Sequence, residues 1–165
     1  MLATTKILIH SDYGAYGFSD EFQKSFNDKY GIDIYSITHY DPYFDQKNTN
    51  EFIETRYDPR IIDIFEQLGP EKSNLSGVKK FLDSSTIGSQ PLTVRKNSLK
   101  IVEIPTILLD AFYISAYDGA EWVWCNTSKK YKEILFSGIR AEMSEKMDIL
   151  RRCEEYLTEN QIHYL

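Results

Sequence analysis

Apolar positions along the chain fall into short runs and helical stripes, separated by clear stops. Lys6-Ile7-Leu8-Ile9-His10 is an apolar run between polar residues, the pattern of a buried strand. Beyond the next loop, Ser19 predicts a helix N-cap, with Asp20 and Glu21 in the first turn where the helix dipole favours anions. Phe22, Phe26 and Tyr30 then recur at i, i+4, i+8 as one stripe, and Gly31 stands where a helix ends at C′. Ile32-Asp33-Ile34-Tyr35-Ser36-Ile37, rich in β-branched and aromatic residues, reads as a strand. Residues 38–55 show no period and read as a loop. At Asp58-Pro59 an N-cap precedes a first-turn proline, whose missing donor costs nothing there. Ile61, Ile62, Ile64, Phe65 and Leu68 follow on a wide apolar face, stopped by Gly69-Pro70. Between 71 and 98, Leu75, Val78, Phe81 and Leu82 suggest a short helix within a loop.

Leu99-Lys100-Ile101-Val102-Glu103-Ile104 reads as a strand ended by Pro105. It is apolar on both faces, which predicts a central strand with Glu103 as the odd member. Phe112 to Cys125 reads as a β-hairpin turned at Asp118-Gly119, a pair suited to the positive φ of a two-residue primed turn. That turn sets Tyr117 opposite Ala120, Ser115 opposite Trp122 and Tyr113 opposite Trp124. One face then holds Tyr113, Ser115, Tyr117, Ala120, Trp122 and Trp124; the other holds Phe112, Ile114, Ala116, Glu121, Val123 and Cys125. The second set is the better core face, apart from Glu121. The first is a row of amphipathic aromatics, either covered by later helices or exposed to stack on a ligand or partner. From Thr127 the period becomes helical. Ser128 is positioned to cap 129–136, Ser137-Gly138 interrupts, and a longer helix spans about Ile139 to Glu159. Its stripe of Ile139, Met143, Met147, Leu150, Cys153 and Leu157 suits docking on the sheet or self-association.

These elements predict a single α/β (α+β) domain with a mixed four- to five-stranded sheet that includes the hairpin. Residues 1–126 form its core and 127–165 a helical extension packed on that core. At 165 residues, a domain buries about 70% of the surface its unfolded chain exposes. The 14% aromatic content, with 12 tyrosines, points to half-buried amphipathic surface. A net charge of −6 argues against a general nucleic-acid binder, which needs a broad basic face. Cys125 and Cys153 read as reduced interior residues. There is no apolar stretch of signal-peptide length at the N-terminus, and no run approaches the ~20 residues of a membrane span. The expected compartment is cytosol-like.

Besides the hairpin, three features suggest chemistry. Asp12-Tyr13-Gly14-Ala15-Tyr16-Gly17-Phe18-Ser19 places two glycines between a strand and a helix, where backbone donors can hold an anion. It matches neither phosphate-loop motif, and Asp12, Asp20 and Glu21 repel phosphate, so it reads as a tight turn or as a loop binding through Tyr13 and Tyr16. Arg56 and Arg60 flank a helix start and are surface residues or a small-anion site. Glu103 and Glu121 are expected in low-dielectric surroundings, where two adjacent carboxylates suit acid/base work. His10, His39 and His163 lack metal-ligand spacing, and no nucleophile signature or cofactor motif is present.

Four segments in order resemble a group of small proteins of tailed phages and large DNA viruses. They are Asp12 to Ser19, Arg56-Tyr57-Asp58-Pro59-Arg60-Ile61-Ile62, Leu99 to Pro105, and Ile114 to Val123 around Tyr117-Asp118-Gly119. Spaced over about 110 residues, they depart from the group's pattern at Ala15, where a second glycine is usual, and in the extension from Thr127. The resemblance implies a viral source, hence host cytoplasm or virion, and transfers no mechanism. Three functions follow as expectations. The first is an accessory or virion-associated protein that binds a protein partner without catalysis, using Tyr113, Tyr117, Trp122 and Trp124. The second is a small-molecule or nucleotide binder using Asp12, Tyr13, Tyr16, Arg56 and Arg60. The third is a carboxylate-dependent hydrolase centred on Glu103, Asp118 or Glu121.

Overall fold

The computed structural model describes residues 2–11, 17–38, 55–73, 99–117, 120–136 and 140–165, with backbone alone at 35, 38, 117 and 140–142. Strand β1 (Thr4–His10) pairs antiparallel with β2 (Leu99–Pro105), Ile7 lying opposite Val102. Hairpin strands β3 (Phe112–Tyr117) and β4 (Ala120–Cys125) pair with Tyr113 opposite Trp124 and Tyr117 opposite Ala120, the register a two-residue turn dictates. The turn residues themselves lie outside the described ones. A short strand β5 (His163–Tyr164), absent from the sequence-based expectation, adds parallel to the outer side of β4. Among the described residues the five strands form a two-stranded and a three-stranded sheet, where one mixed sheet was expected.

Two of the helices start at the caps the sequence predicts. Helix α1 (Asp20–Tyr30) starts at Ser19, whose Oγ accepts from the Phe22 N–H at 3.0 Å, and ends at Gly31 in the left-handed region with φ 69°. The run read as a strand at 32–37 instead becomes the short helix α2 (Ile34–Thr38), with Ile34 buried and Ile37 half-buried at i, i+3. A short β-branched run cannot tell strand from helix, and among the described residues no strand lies alongside it. Helix α3 (Pro59–Leu68) is capped by Asp58, which accepts from the Arg60 N–H at 2.8 Å, and buries Ile61, Ile62, Ile64 and Phe65. Pro70, read as a stop, opens the one-turn helix α4 (Pro70–Ser73). The N-cap of α5 (Thr127–Phe136) is Asn126, whose Oδ1 accepts from the Lys129 N–H at 2.8 Å, and Ser128 lies inside the helix. Helix α6 is Arg140–Glu159.

The β1–β2 ribbon divides two apolar clusters. Leu8, Leu99 and Ile101 face Phe18, Phe22, Phe26, Ile34 and the apolar face of α3. Ile7, Ile9, Val102 and Ile104 face the inner hairpin residues Phe112, Ile114, Val123 and Cys125 together with Leu150, Cys153 and Leu157 of α6. The two apolar faces of β2 are explained by this layering; among the described residues β2 pairs with β1 alone, so it is not a central strand. Each aliphatic or aromatic side chain fully enclosed here contributes about 1.5–3 kcal/mol. The expected α6 stripe is the docked face: Met143 and Met147 pack against the cluster, and Leu150, Cys153 and Leu157 lie inside it. Leu150, Cys153 and Leu157 are thus covered within the chain, and Ile139 lies outside the described residues.

Candidate functional site

Alternation along β4 puts Glu121 on the inner face, and the structure shows what it meets there. Its carboxylate accepts from both ends of the Arg56 guanidinium, Nη1 to Oε2 at 2.9 Å and Nη2 to Oε1 at 2.7 Å. Arg56, in the turn before α3, is fully buried, and Glu121 is 8% exposed. Both groups also serve the backbone of β1. Glu121 Oε2 accepts from the His10 N–H at 2.7 Å, Arg56 Nη1 donates to the Leu8 carbonyl at 3.3 Å, and the Leu8 N–H donates to the Arg56 carbonyl at 2.8 Å. The β1 edge turned away from β2 is thus satisfied by a charge pair that joins it to β4. Two parallel charge-assisted bonds compensate both ions.

This geometry revises two expectations. Arg56 is enclosed and engaged with Glu121, so it does not present an anion site. Glu103 is exposed, accepts from Thr4 Oγ1 at 2.9 Å and stands opposite Lys6 on the ribbon, so it is not a buried acid. In place of two adjacent carboxylates there is one, Glu121, ion-paired with Arg56, and the pair ties β4 to the backbone of β1. Arg60 folds back on its own cap, Nε donating to Asp58 Oδ1 at 3.0 Å and Nη2 to Asp58 Oδ2 at 2.6 Å. Burial pulls the Asp58 carboxyl upward and the Arg60 hydrogen bonds more than offset it, leaving its pKa below the ordinary value. Asp12, Tyr13, Tyr16 and Asp118 lie outside the described residues.

The outer face of the hairpin is the other candidate. Tyr113 and Trp122 are 38% and 41% exposed, whereas Phe112, Ile114, Val123 and Cys125 behind them are in the core. Trp124 stands half-buried between two rings. Tyr113 stacks on one side with centroids 6.3 Å apart and planes 9° apart, and His163 of β5 on the other at 4.6 Å and 20°. A column of rings crosses the three strands, each ring supporting the next. Ser115 follows Tyr113 on the same face of β3 and stands opposite Trp122. Toward the turn the alternation lapses, with Ala116 exposed and Ala120 buried. Backbone alone describes Tyr117. Sequence reasoning missed His163, since a two-residue strand after a helix leaves no periodic signal. The one hint was Ile162, an apolar residue following the polar end of α6.

Both cysteines are buried thiols in the cluster between hairpin and α6. Burial, with Cys153 nearby, pushes the Cys125 thiol up to about 12, so it stays protonated in the folded chain. Among the described residues, no group of three His, Cys, Asp or Glu side chains could hold a metal ion, and no helix is long and apolar enough to cross a membrane. No protein-family model matches the chain, and neither a curated protein nor a solved structure matches it.

Proposed function

We propose that the protein works by binding a protein partner through the outer face of its three-stranded sheet, with no chemistry of its own. One observation carries this reading: Tyr113 and Trp122 stay exposed on one face of the sheet, where Tyr113 stacks on Trp124 and Trp124 on His163. Aromatic side chains supply large contact area at low entropic cost, which makes them frequent anchors of interfaces. The ring faces of Trp124 are taken up by its neighbours, and the chain carries a charge of −6, which together disfavour base stacking along a nucleic acid. On the motif resemblance, the protein belongs with the accessory or virion-associated proteins of phages or large DNA viruses, in host cytoplasm or virion. The test is capture of a partner from an extract of the cells that make the protein. Wild type should retain a partner that the Tyr113→Ala/Trp122→Ala double variant releases, both melting at the same temperature. Equal capture by the two would refute the reading.

A further inference from the structure

We infer that the segment after α6, residues 160–165, is an exchangeable strap, and that a second copy of this chain takes it up on the same edge of β4 to form a two-fold dimer. The strap is held at four points. Ile162 is buried in the cluster that also holds the inner hairpin residues and the α6 stripe. His163 stacks on Trp124 with centroids 4.6 Å apart. The Leu165 N–H donates to the Cys125 carbonyl at 3.0 Å, and the Leu165 carbonyl accepts from the Ser128 N–H and from Thr127 Oγ1, both at 2.8 Å. The Tyr164 hydroxyl shares a hydrogen bond of 3.2 Å with Thr158 Oγ1. The ladder itself is short, Trp124 beside His163 and Cys125 beside Tyr164. A segment with so few pairs is the kind that opens locally.

Folding the strap back requires a reversal just after α6. Gln161 makes it at φ 56°, the one non-glycine at positive φ among the described residues. A helix end of this kind usually has glycine or asparagine there, as Gly31 ends α1. A Cβ in the left-handed region crowds the following carbonyl, which disfavours the closed hinge by about 5- to 30-fold. Residues 162–165 of a second copy bring the same side chains to the same surface, so the contacts of the strap are remade in full. What changes is the hinge, where Gln161 of each chain leaves the left-handed region. A short hinge strained in the closed form invites such an exchange.

Opposing the exchange is the tether, which presents the strap to its own chain at an effective concentration of about 1 mM. Two relieved hinges lower the dissociation constant of the dimer from that value into about the ten-micromolar range. Asn160 and Gln161, when extended, span about 7 Å, so the ends of the two α6 helices lie together at the two-fold axis. The exchange uses the edge of β4 opposite β3. It is therefore separate from partner binding by the face of Tyr113 and Trp122, and neither test decides the other.

Sedimentation velocity from micromolar to millimolar protein, after overnight incubation at each concentration, reads the exchange. Wild type should pass from monomer to dimer within this range. Gln161→Gly removes the strain of both closed hinges and should weaken the dimer by about 25-fold or more. Gln161→Val should tighten it, because a branched side chain tolerates positive φ least. A second measurement shows which chain each strap lies on. Ser128 and Leu165 are exposed and joined by a backbone hydrogen bond of 2.8 Å, while Cys125 and Cys153 are buried. In Ser128→Cys/Leu165→Cys, a short bis-maleimide therefore links the two introduced thiols within one chain of a monomer and between two chains of the exchanged dimer. On a denaturing gel the dimer fraction should run as a covalent dimer and the monomer fraction as a single chain. Wild type that stays monomeric at millimolar protein, equal dimerisation by wild type and both Gln161 variants, or single-chain bands from the dimer fraction would each overturn the inference.

Discussion

Removing one charge of the Arg56–Glu121 pair leaves the other enclosed beside the backbone of β1, with too little water to solvate it. Losing one partner of such a pair costs about 3–5 kcal/mol, whereas replacing both by apolar groups of similar size is often neutral. Glu121→Gln should therefore destabilise the fold by that order in urea denaturation. Arg56→Met/Glu121→Leu should recover most of the loss, less what the His10 N–H and Leu8 carbonyl give up. A double variant no more stable than the single one would show that the pair is needed for its backbone contacts rather than for charge balance. At this scale the sequence showed half of the arrangement. Alternation along the hairpin marks Glu121 as an inward carboxylate, but its partner lies 65 residues away in a turn, and no local pattern connects them. Glu103 looked buried by the same kind of reasoning, because the period along a strand identifies a face and does not say how far along that face the core extends.

Elements whose ends are marked by cap chemistry were legible nearly to the residue, as α1 and α3 show. Gly31 ends α1 at φ +69°, and a Cβ built there would meet nothing within 4 Å. Gly31→Ala should thus cost about 1–2 kcal/mol, the conformational penalty of the left-handed region alone, read as a shift in denaturation midpoint with an unchanged slope. α2 and β5 were not legible, since elements of five and two residues hold too few positions for a period to emerge. The contact between α1 and α3 runs through Asp63, which accepts from Lys29 Nζ at 2.5 Å, Tyr30 O–H at 2.6 Å and Gln67 Nε2 at 2.9 Å. The Lys29 bond first, then that of Tyr30, holds its carboxyl below the ordinary value. A carboxyl depressed in the folded state adds stability that is present above its unfolded pKa of about 3.9 and lost as pH falls through the lower folded value. Wild type should lose stability more steeply than Asp63→Asn below about pH 4. Parallel acid limbs would show that these contacts do not differ between folded and unfolded chains.

At the scale of the molecule, one two-stranded ribbon carries apolar clusters on both faces and is tied to the hairpin sheet by a charge pair, so its layers are expected to open together. Both cysteines sit between hairpin and α6, which makes them reporters of that opening. A thiol reagent should label neither Cys125 nor Cys153 in the native protein at pH 7. Labelling should instead follow global unfolding, with the same dependence on urea as the loss of helical signal. Faster labelling at low urea would mean that α6 lifts from the sheet by itself. The same burial has a consequence in alkali. With its folded pKa pushed up to about 12, against about 8.5 for an unfolded cysteine, Cys125 keeps its proton in the fold after the unfolded chain has lost it. Its contribution to stability is whole below about pH 8.5 and declines as pH rises toward the folded value. Between pH 8 and 10, wild type should lose more stability than Cys125→Ala, although the alanine variant starts lower because of the cavity it leaves. Equal losses would mean that water reaches the thiol and that hairpin and α6 are less tightly packed than the buried cluster implies.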